Sequence, residues 1–368
     1  MGRLGLKGIG KLFGNSRGLD RLHIEVGPGE IVGLTGPSGA GKTTTCRMIA
    51  GLEFPSEGEV LFDGKPGNSL STQDRNVAFM FESYALYPHF TVLDNITFPL
   101  RAPKHKNRYT SEEIRKRVSD LIQLVEIESL EGRFPNELSG GQKQRVALCR
   151  TLVQEPSVYL LDEPISHLDA KLSYRLRGEI RRRLIQTDIP TLWTTPNALE
   201  ALSIADRVLV LVNGRVQQTG TPQEIYRHPA NTEVARLVGD PPINLVIGNI
   251  EREDGTLFFR HSSFRLPLGE PLRNRLESKA KGESVTLGIR PTEIQILECP
   301  TEEEGHAGEV YVFEPFGKYV ILSVRLGGDV IKAKISHLRT YQPGERVKLR
   351  FDESNLLAFD ASAGQMIL

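Results

Sequence analysis

The sequence predicts an α/β domain with a mostly parallel sheet, followed by a smaller all-β region, and three observations carry that prediction. Up to about residue 235, short β-rich apolar runs (EIVGLTG, VAFMF, SVYLLDEP, PTLWTT, RVLVLVNG) alternate with helix-like stretches. Near-continuous apolar strands separated by helices belong to a sheet covered on both faces. Between Tyr84 and about Val153 the strand pattern stops, which predicts a helical insertion. After VARLVGDPPINLV, Pro241-Pro242 breaks the last helix, and short alternating runs with turn residues between them follow. At 368 residues the chain exceeds one ordinary domain. We expect domains at 1–235, with a helical subdomain at about 84–153, and at 236–368.

Taken in order, EIVGLTG leads into a glycine-rich loop and then KTTTCRMIAGL, a strand, turn and helix. In the helical insertion, Thr110 and Glu113 form a capping box ahead of Ile114, Val118, Leu121, Ile122 and Val125, apolar at helical spacing. QKQRVALCRTLV and KLSYRLRGEIRRRLIQT are two further helices on either side of the strand SVYLLDEP. In the second of these, Arg175, Arg177, Arg181, Arg182 and Arg183 spread around Leu176, Ile180 and Leu184, which reads as a solvated face. VTLGIRPTEIQIL, GEVYVFEPFGKYVILSVRL, DVIKAKI and ERVKLRFDESNLLAFD read as strands of small OB-like barrels.

Lys+Arg and Asp+Glu both number 46, so no global field draws the chain to nucleic acid or anionic lipid. Three cysteines (Cys46, Cys149, Cys299) without a C-x-x-C argue against a disulfide framework or a zinc site; Cys46 and Cys149 read as small buried apolar residues. No apolar run approaches the roughly 18 residues a membrane span needs, so any membrane role must come through a partner. MGRLGL has no Ser or Thr at its sixth position, and no myristoyl anchor is expected. His89 and His167 lack a clustered ligand set and read as packing or solvent contacts.

Gly36, Gly41, Lys42 and Thr43 satisfy G-x-x-x-x-G-K-[ST] in its required context of strand, loop and helix. Such a loop turns backbone N–H groups toward phosphate oxygens, the lysine reaches the outer phosphates, and the Thr43 hydroxyl can hold Mg²⁺. ATP or GTP is the expected ligand, and Gly36, Pro37, Ser38, Gly39, Ala40, Gly41, Lys42, Thr43 and Thr44 its cradle. SVYLLDEP ends in Asp162-Glu163, placing one carboxylate to hold the metal and the next to orient or deprotonate the attacking water.

LSGGQ, Leu138 to Gln142, lies about 20 residues before Asp162. With it the chain resembles the ATPase subunits of ATP-binding-cassette transporters over its first 235 residues. The resemblance implies that Val158 to Asp162 is Walker B, that Glu163 is the catalytic glutamate, and that Ser166 to Asp169 is the D-loop. It also implies that Ser139, Gly140, Gly141 and Gln142 cap ATP held by the opposite subunit, and that Phe13 stacks on adenine. ESYALYPHFTVLDNITFPL and the C-terminal strands are similar to the maltose and glycerol-3-phosphate importer group with its tandem OB-like regulatory domain. That group works at the cytoplasmic face of the membrane with permease subunits, a second ATPase subunit and, indirectly, an external solute-binding protein. Nucleic acid is not an expected partner, because the C-terminal region lacks a basic strand studded with aromatics.

Two positions depart from the family. Its histidine after the strand PTLWTT is here Pro196, with Asn197 where an aspartate belongs. Its Q-loop glutamine is here Glu82, which keeps an oxygen for the metal but loses the amide donor and adds charge. Proline has no donor for a transferring phosphoryl group. Nucleotide binding is therefore expected to survive while hydrolysis at the chain's own site is slow. A pairing with a fully equipped second ATPase, a self-sufficient homodimer relying on Glu163, and a gating subunit with little hydrolysis of its own are the open alternatives.

Overall fold

The computed structural model describes residues 2–102, 108–270, 272–277, 284–297, 305–336 and 339–367. Cys299 lies outside them. The chain forms two compact units, Met1–Gln223 and Glu224–Leu368.

The first unit contains β1 (Leu4–Phe13), β2 (Ser16–Val26), β3 (Ile31–Thr35), α1 (Lys42–Ala50), β4 (Glu57–Phe62), β5 (Lys65–Pro66) and β6 (Val77–Met80). The helical stretch α2 (Val92–Arg101), α3 (Ser111–Leu124) and α4 (Gly140–Leu152) comes next. β7 (Val158–Asp162), α5 (Ala170–Gln186), β8 (Thr191–Thr195), α6 (Ala198–Ile204), β9 (Arg207–Val212) and β10 (Arg215–Gly220) complete it. The six-stranded sheet runs β10-β9-β3-β8-β7-β6. All its strands but the edge β10 are parallel. Every residue of β3, β7 and β8 is buried, as expected of strands covered on both faces. The expected capping box at Thr110 and Glu113 opens α3.

Two features go beyond the sequence reading. A second, antiparallel sheet of order β2-β1-β4-β5 packs Leu4, Leu6, Ile9, Leu22 and Ile24 into the core beside α1. Its period-two pattern is broken by register shifts in β1 around Gly8 and Gly10. The α5 arginines also do more than solvate a face. Leu176, Ile180 and Leu184 are buried as expected, but Arg177 donates to Ser203 Oγ at 2.8 Å and Arg181 bonds the Ile204 carbonyl and Asp206, tying α5 to the end of α6.

Arg75 is 2 % exposed and closes the C-terminal end of α1. Its guanidinium donates to the carbonyls of Met48 (2.7 Å), Ile49 (2.9 Å), Leu70 (3.2 Å) and Asn68 (3.3 Å). Met48 and Ile49 lie in the last turn of α1, where carbonyls lack a full set of intrahelical partners, Met48 sharing its oxygen with the Gly51 N–H at 3.1 Å, and a cation there also meets the negative end of the helix dipole. Arg75→Leu leaves buried acceptors unmade at about 1–3 kcal/mol each, partly relieved by relaxation. A loss of about 3 kcal/mol, or roughly 6–12 °C in Tm, is expected by thermal unfolding.

The second unit holds α8 (Thr232–Leu237), which follows α7 (Pro222–Arg227), and then β11 (Asn244–Glu253), β12 (Thr256–Arg260), β13 (Arg265–Pro267), α9 (Leu272–Leu276), β14 (Ser284–Ile289) and β15 (Ile294–Leu297). β16 (His306–Pro315), β17 (Tyr319–Leu326), β18 (Asp329–Ser336), β19 (Arg346–Phe351) and β20 (Leu357–Asp360) follow. They form two five-stranded antiparallel sheets, β13-β12-β11-β14-β20 and β15-β19-β16-β17-β18. One apolar core, including Val246, Phe259, Leu287, Val324 and Leu349, serves both.

Candidate active site

The site gathers at the C-terminal ends of parallel strands, the usual place for a ligand in an open α/β sheet. β3 delivers the glycine loop, β6 delivers Glu82, β7 ends in Asp162, and β8 is followed directly by Pro196. Asp162 pairs in register with Thr194, so the positions 162 and 196 belong to neighbouring strand ends.

Glycine is obligatory at two loop positions. Gly36 has φ 151°, and a Cβ there would sit 1.8 Å from the Leu211 carbonyl oxygen. Gly41 has φ 108°, with Leu19 Cδ2 2.6 Å from where a Cβ would be. The loop curls around Lys42, whose Nζ donates to the carbonyls of Gly36 (2.8 Å) and Pro37 (3.0 Å). The side chain is buried, and burial holds its pKa below that of an ordinary lysine despite the carboxylates of Glu163, Asp162 and Glu82.

Asp162 is 1 % exposed. One carboxylate oxygen accepts from Thr194 Oγ1, while the other, Oδ2, has no protein partner. Burial raises its pKa, hydroxyls of Thr194 and Thr43 oppose the rise, and the charge of Glu82 adds to it. Among the described residues no cluster of three or more His, Cys, Asp or Glu is assembled as for a protein-caged metal. An orphaned buried carboxylate oxygen beside a hydroxyl and a second carboxylate instead fits Mg²⁺, which takes one or two carboxylates and completes its shell from phosphates and water.

Glu163 follows with φ 51°, a left-handed conformation that costs a non-glycine residue about 1–2 kcal/mol. Its N–H donates to the Thr194 carbonyl at 2.9 Å, and its carbonyl accepts from Gln144 Nε2 at 2.8 Å. Burial first, then the charges of Glu82 and Asp162, raise its pKa. Such a carboxylate is a stronger base than a solvated one.

Pro196 is exposed and presents no donor, and Asn197 caps α6 by accepting from the Glu200 N–H at 3.2 Å. Glu200 is buried and accepts from Trp193 Nε1 at 2.7 Å. Ser139 and Gln142 are engaged with each other at the start of α4. Ser139 Oγ accepts from the Gln142 N–H at 3.3 Å, and Gln142 Oε1 accepts from the Ser139 N–H at 2.9 Å. Gly140 and Gly141 follow the cap with no side chain above the helix end. Phe13, at the end of β1, is half exposed and lies over Gly18.

Two site residues, Gln144 and Arg150, escaped the sequence reading, and His167, read there as a packing or solvent contact, makes a specific bond. Gln144 holds Glu163, Arg150 holds the carbonyls of Tyr84 (2.6 Å) and Ala85 (2.7 Å), and His167 bonds Tyr84. The one available signal was two polar side chains on the apolar face of α4.

The ABC transporter family matches residues 19–166, the MalK OB fold domain residues 239–294, and the TOBE domain residues 287–359. The trehalose/maltose import ATP-binding protein MalK of Thermococcus litoralis is 39 % identical over 374 residues, covering 98 % of each chain. The chain belongs to the ATPase subunits of ABC transporters, in their carbohydrate-importer group.

This ABC transporter ATPase is also 37 % identical to the xylose/arabinose import ATP-binding protein XacJ of Haloferax volcanii, over all of this chain and 96 % of the relative. Among solved structures, the dimeric bacterial ABC transporter cassette MJ0796 superposes with TM-score 0.55 at 30 % identity, over 60 % of this ATPase and 98 % of that chain. The same cassette is known in a post-hydrolysis state bound to ADP and Pi. Binding of ATP and an α/β P-loop domain followed by an all-β OB and TOBE region thus stand for this ATPase. Among its described residues no helix is long and apolar enough to cross a membrane.

Proposed function

We propose that this ABC ATPase powers import of a sugar, polyol or related solute while paired with a second, fully equipped ATPase subunit. The observation that carries the pairing is the contrast between a donorless Pro196 at its own site and an intact capped Ser139–Gln142 helix end. Its own site binds nucleotide and turns it over slowly, and its α4 N-terminus completes the partner's site.

In this reading Phe13 stacks on the adenine, and Lys42 with the backbone N–H groups of Ser38 to Thr44 holds the phosphates. Thr43, Asp162 and Glu82 hold Mg²⁺, which when bound neutralises charge on the phosphate oxygens. Glu163 accepts the proton of the attacking water at its carboxylate, and its raised pKa supports that role. At position 196 no group donates to the oxygens that gain charge in the transition state.

Residues Glu82 to Tyr87 and the groove between α2 and α3, about 840 Å³ and lined by Leu93, Thr97 and Ile114 among others, take the permease at the cytoplasmic face of the membrane. Exposed Tyr87, Leu93 and Phe98 support this. Uptake of labelled sugars by cells producing this chain with its membrane components tests the pairing. Without a second ATPase subunit, uptake stays near background. Full uptake under that condition overturns the pairing and favours a homodimer. A second reading, a subunit that gates by binding ATP with little hydrolysis, is favoured by Glu82 and Pro196 falling on one site.

A further inference from the structure

Tyr84 and Ala85, two and three residues past Glu82, adopt left-handed conformations (φ 64° and 46°), as does Glu163. Non-glycine residues occupy that region only when their surroundings hold them there. One helix holds both segments: α4 reaches the Tyr84 and Ala85 carbonyls through Arg150 and the Glu163 carbonyl through Gln144. A second connection joins the segments directly. Tyr84 Oη lies 2.8 Å from His167 Nδ1, with the rings edge to face at 6.2 Å. Ser166 Oγ lies 3.1 Å from the same nitrogen and donates to the Glu163 carbonyl at 3.1 Å. The His167 N–H donates to Gln144 Oε1 at 3.0 Å, and Gln144 is fully buried. From the phenol to the backbone of Glu163 there is thus one imidazole nitrogen and one hydroxyl. Burial and the nearby charge of Glu82 keep the phenol protonated.

We propose that the Tyr84–His167 hydrogen bond ties the loop carrying Glu82 to the backbone of Glu163, making His167 a positioning residue whose loss loosens both segments together. The inference rests on the reading of Glu163 as the base, but the bond is testable without turnover.

Amide hydrogen exchange on the full chain reads it. Tyr84→Phe removes only a hydroxyl, and it speeds exchange of the 163–168 amides about two- to tenfold, the span of one net hydrogen bond. His167→Ala speeds exchange at residues 83–85 by a similar factor, and the double variant adds nothing to either. His167→Asn places an amide group as many bonds from Cα as Nδ1, and restores protection in both segments. Changes confined to each substitution's own segment, or additive in the double variant, overturn the tie. Coupled exchange together with turnover indifferent to Glu163→Gln keeps the tie and sinks the reading of Glu163 as base.

Discussion

Glu82→Gln together with Pro196→His raises MgATP turnover by this chain on the order of 10²-fold, the effect expected of one preorganised donor at a transferring phosphoryl group. Both side chains start from well-placed backbone, one beyond β6 and the other beyond β8, on either side of β7 and its Asp162. Position 196 directly follows Thr195 at the strand end and is exposed, so an imidazole fits without repacking. At position 82 the gain comes from the amide donor that glutamine returns and from removing a negative charge beside the phosphates, and it outweighs the smaller pKa rise left at Glu163. The measurement is phosphate release by purified chain, with Glu163→Gln as the blank. Native turnover already far above that blank, with no gain on restoration, would show that the departures are tolerated and that the chain needs no second ATPase.

Lys42→Ala weakens MgATP binding about 10- to 100-fold, the size of a lost charge-assisted hydrogen bond, while leaving the fold intact. The pH dependence distinguishes this from a general loosening of the loop. Burial lowers the pKa of Lys42 in the free chain, and bound phosphates favour its charged form. Affinity is therefore constant at pH values below that lowered pKa. It declines as pH rises through it, starting earlier than for an exposed lysine. Titration with a fluorescent ATP analogue from neutral to alkaline pH shows the decline in the native chain and its absence in Lys42→Ala. Equal slopes in the two chains would remove Lys42 from the phosphate contacts.

The parts of the site that announce themselves in sequence are those whose chemistry requires a residue type at fixed spacing. Gly36, Gly41, Lys42 and Thr43 are of this kind, as are Asp162 and Glu163 at the end of an apolar strand. Their supports were not legible. Gln144, Arg150 and His167 meet partners 19 to 83 positions away in the chain, and the periodicity of a helix tells which face is buried but not what waits opposite. The antiparallel sheet was hidden for a different reason. Shifts around Gly8 and Gly10 put β1 out of step with its neighbours, so alternation over its length averages away. The two five-stranded sheets of the C-terminal unit show the opposite case: β17 and β18 pair without a shift, and their runs stand out in the sequence.

The closed ring of Ser139 and Gln142 at the head of α4 has a consequence for assembly. One of the helix-end N–H groups that an incoming anion would seek, that of Gln142, already has a partner in Ser139 Oγ, while Gln142 Oε1 takes the Ser139 N–H. In the proposed pairing, a nucleotide arriving at this helix end meets a donor set in which the Gln142 N–H is already taken. A cap of this kind is worth about 1 kcal/mol, close to fivefold in an equilibrium constant. The free chain thus closes the head of α4 with its own side chains, and in the proposed pairing the hold of that helix end on a second subunit's nucleotide is set in part by an exchange of partners at the Gln142 N–H.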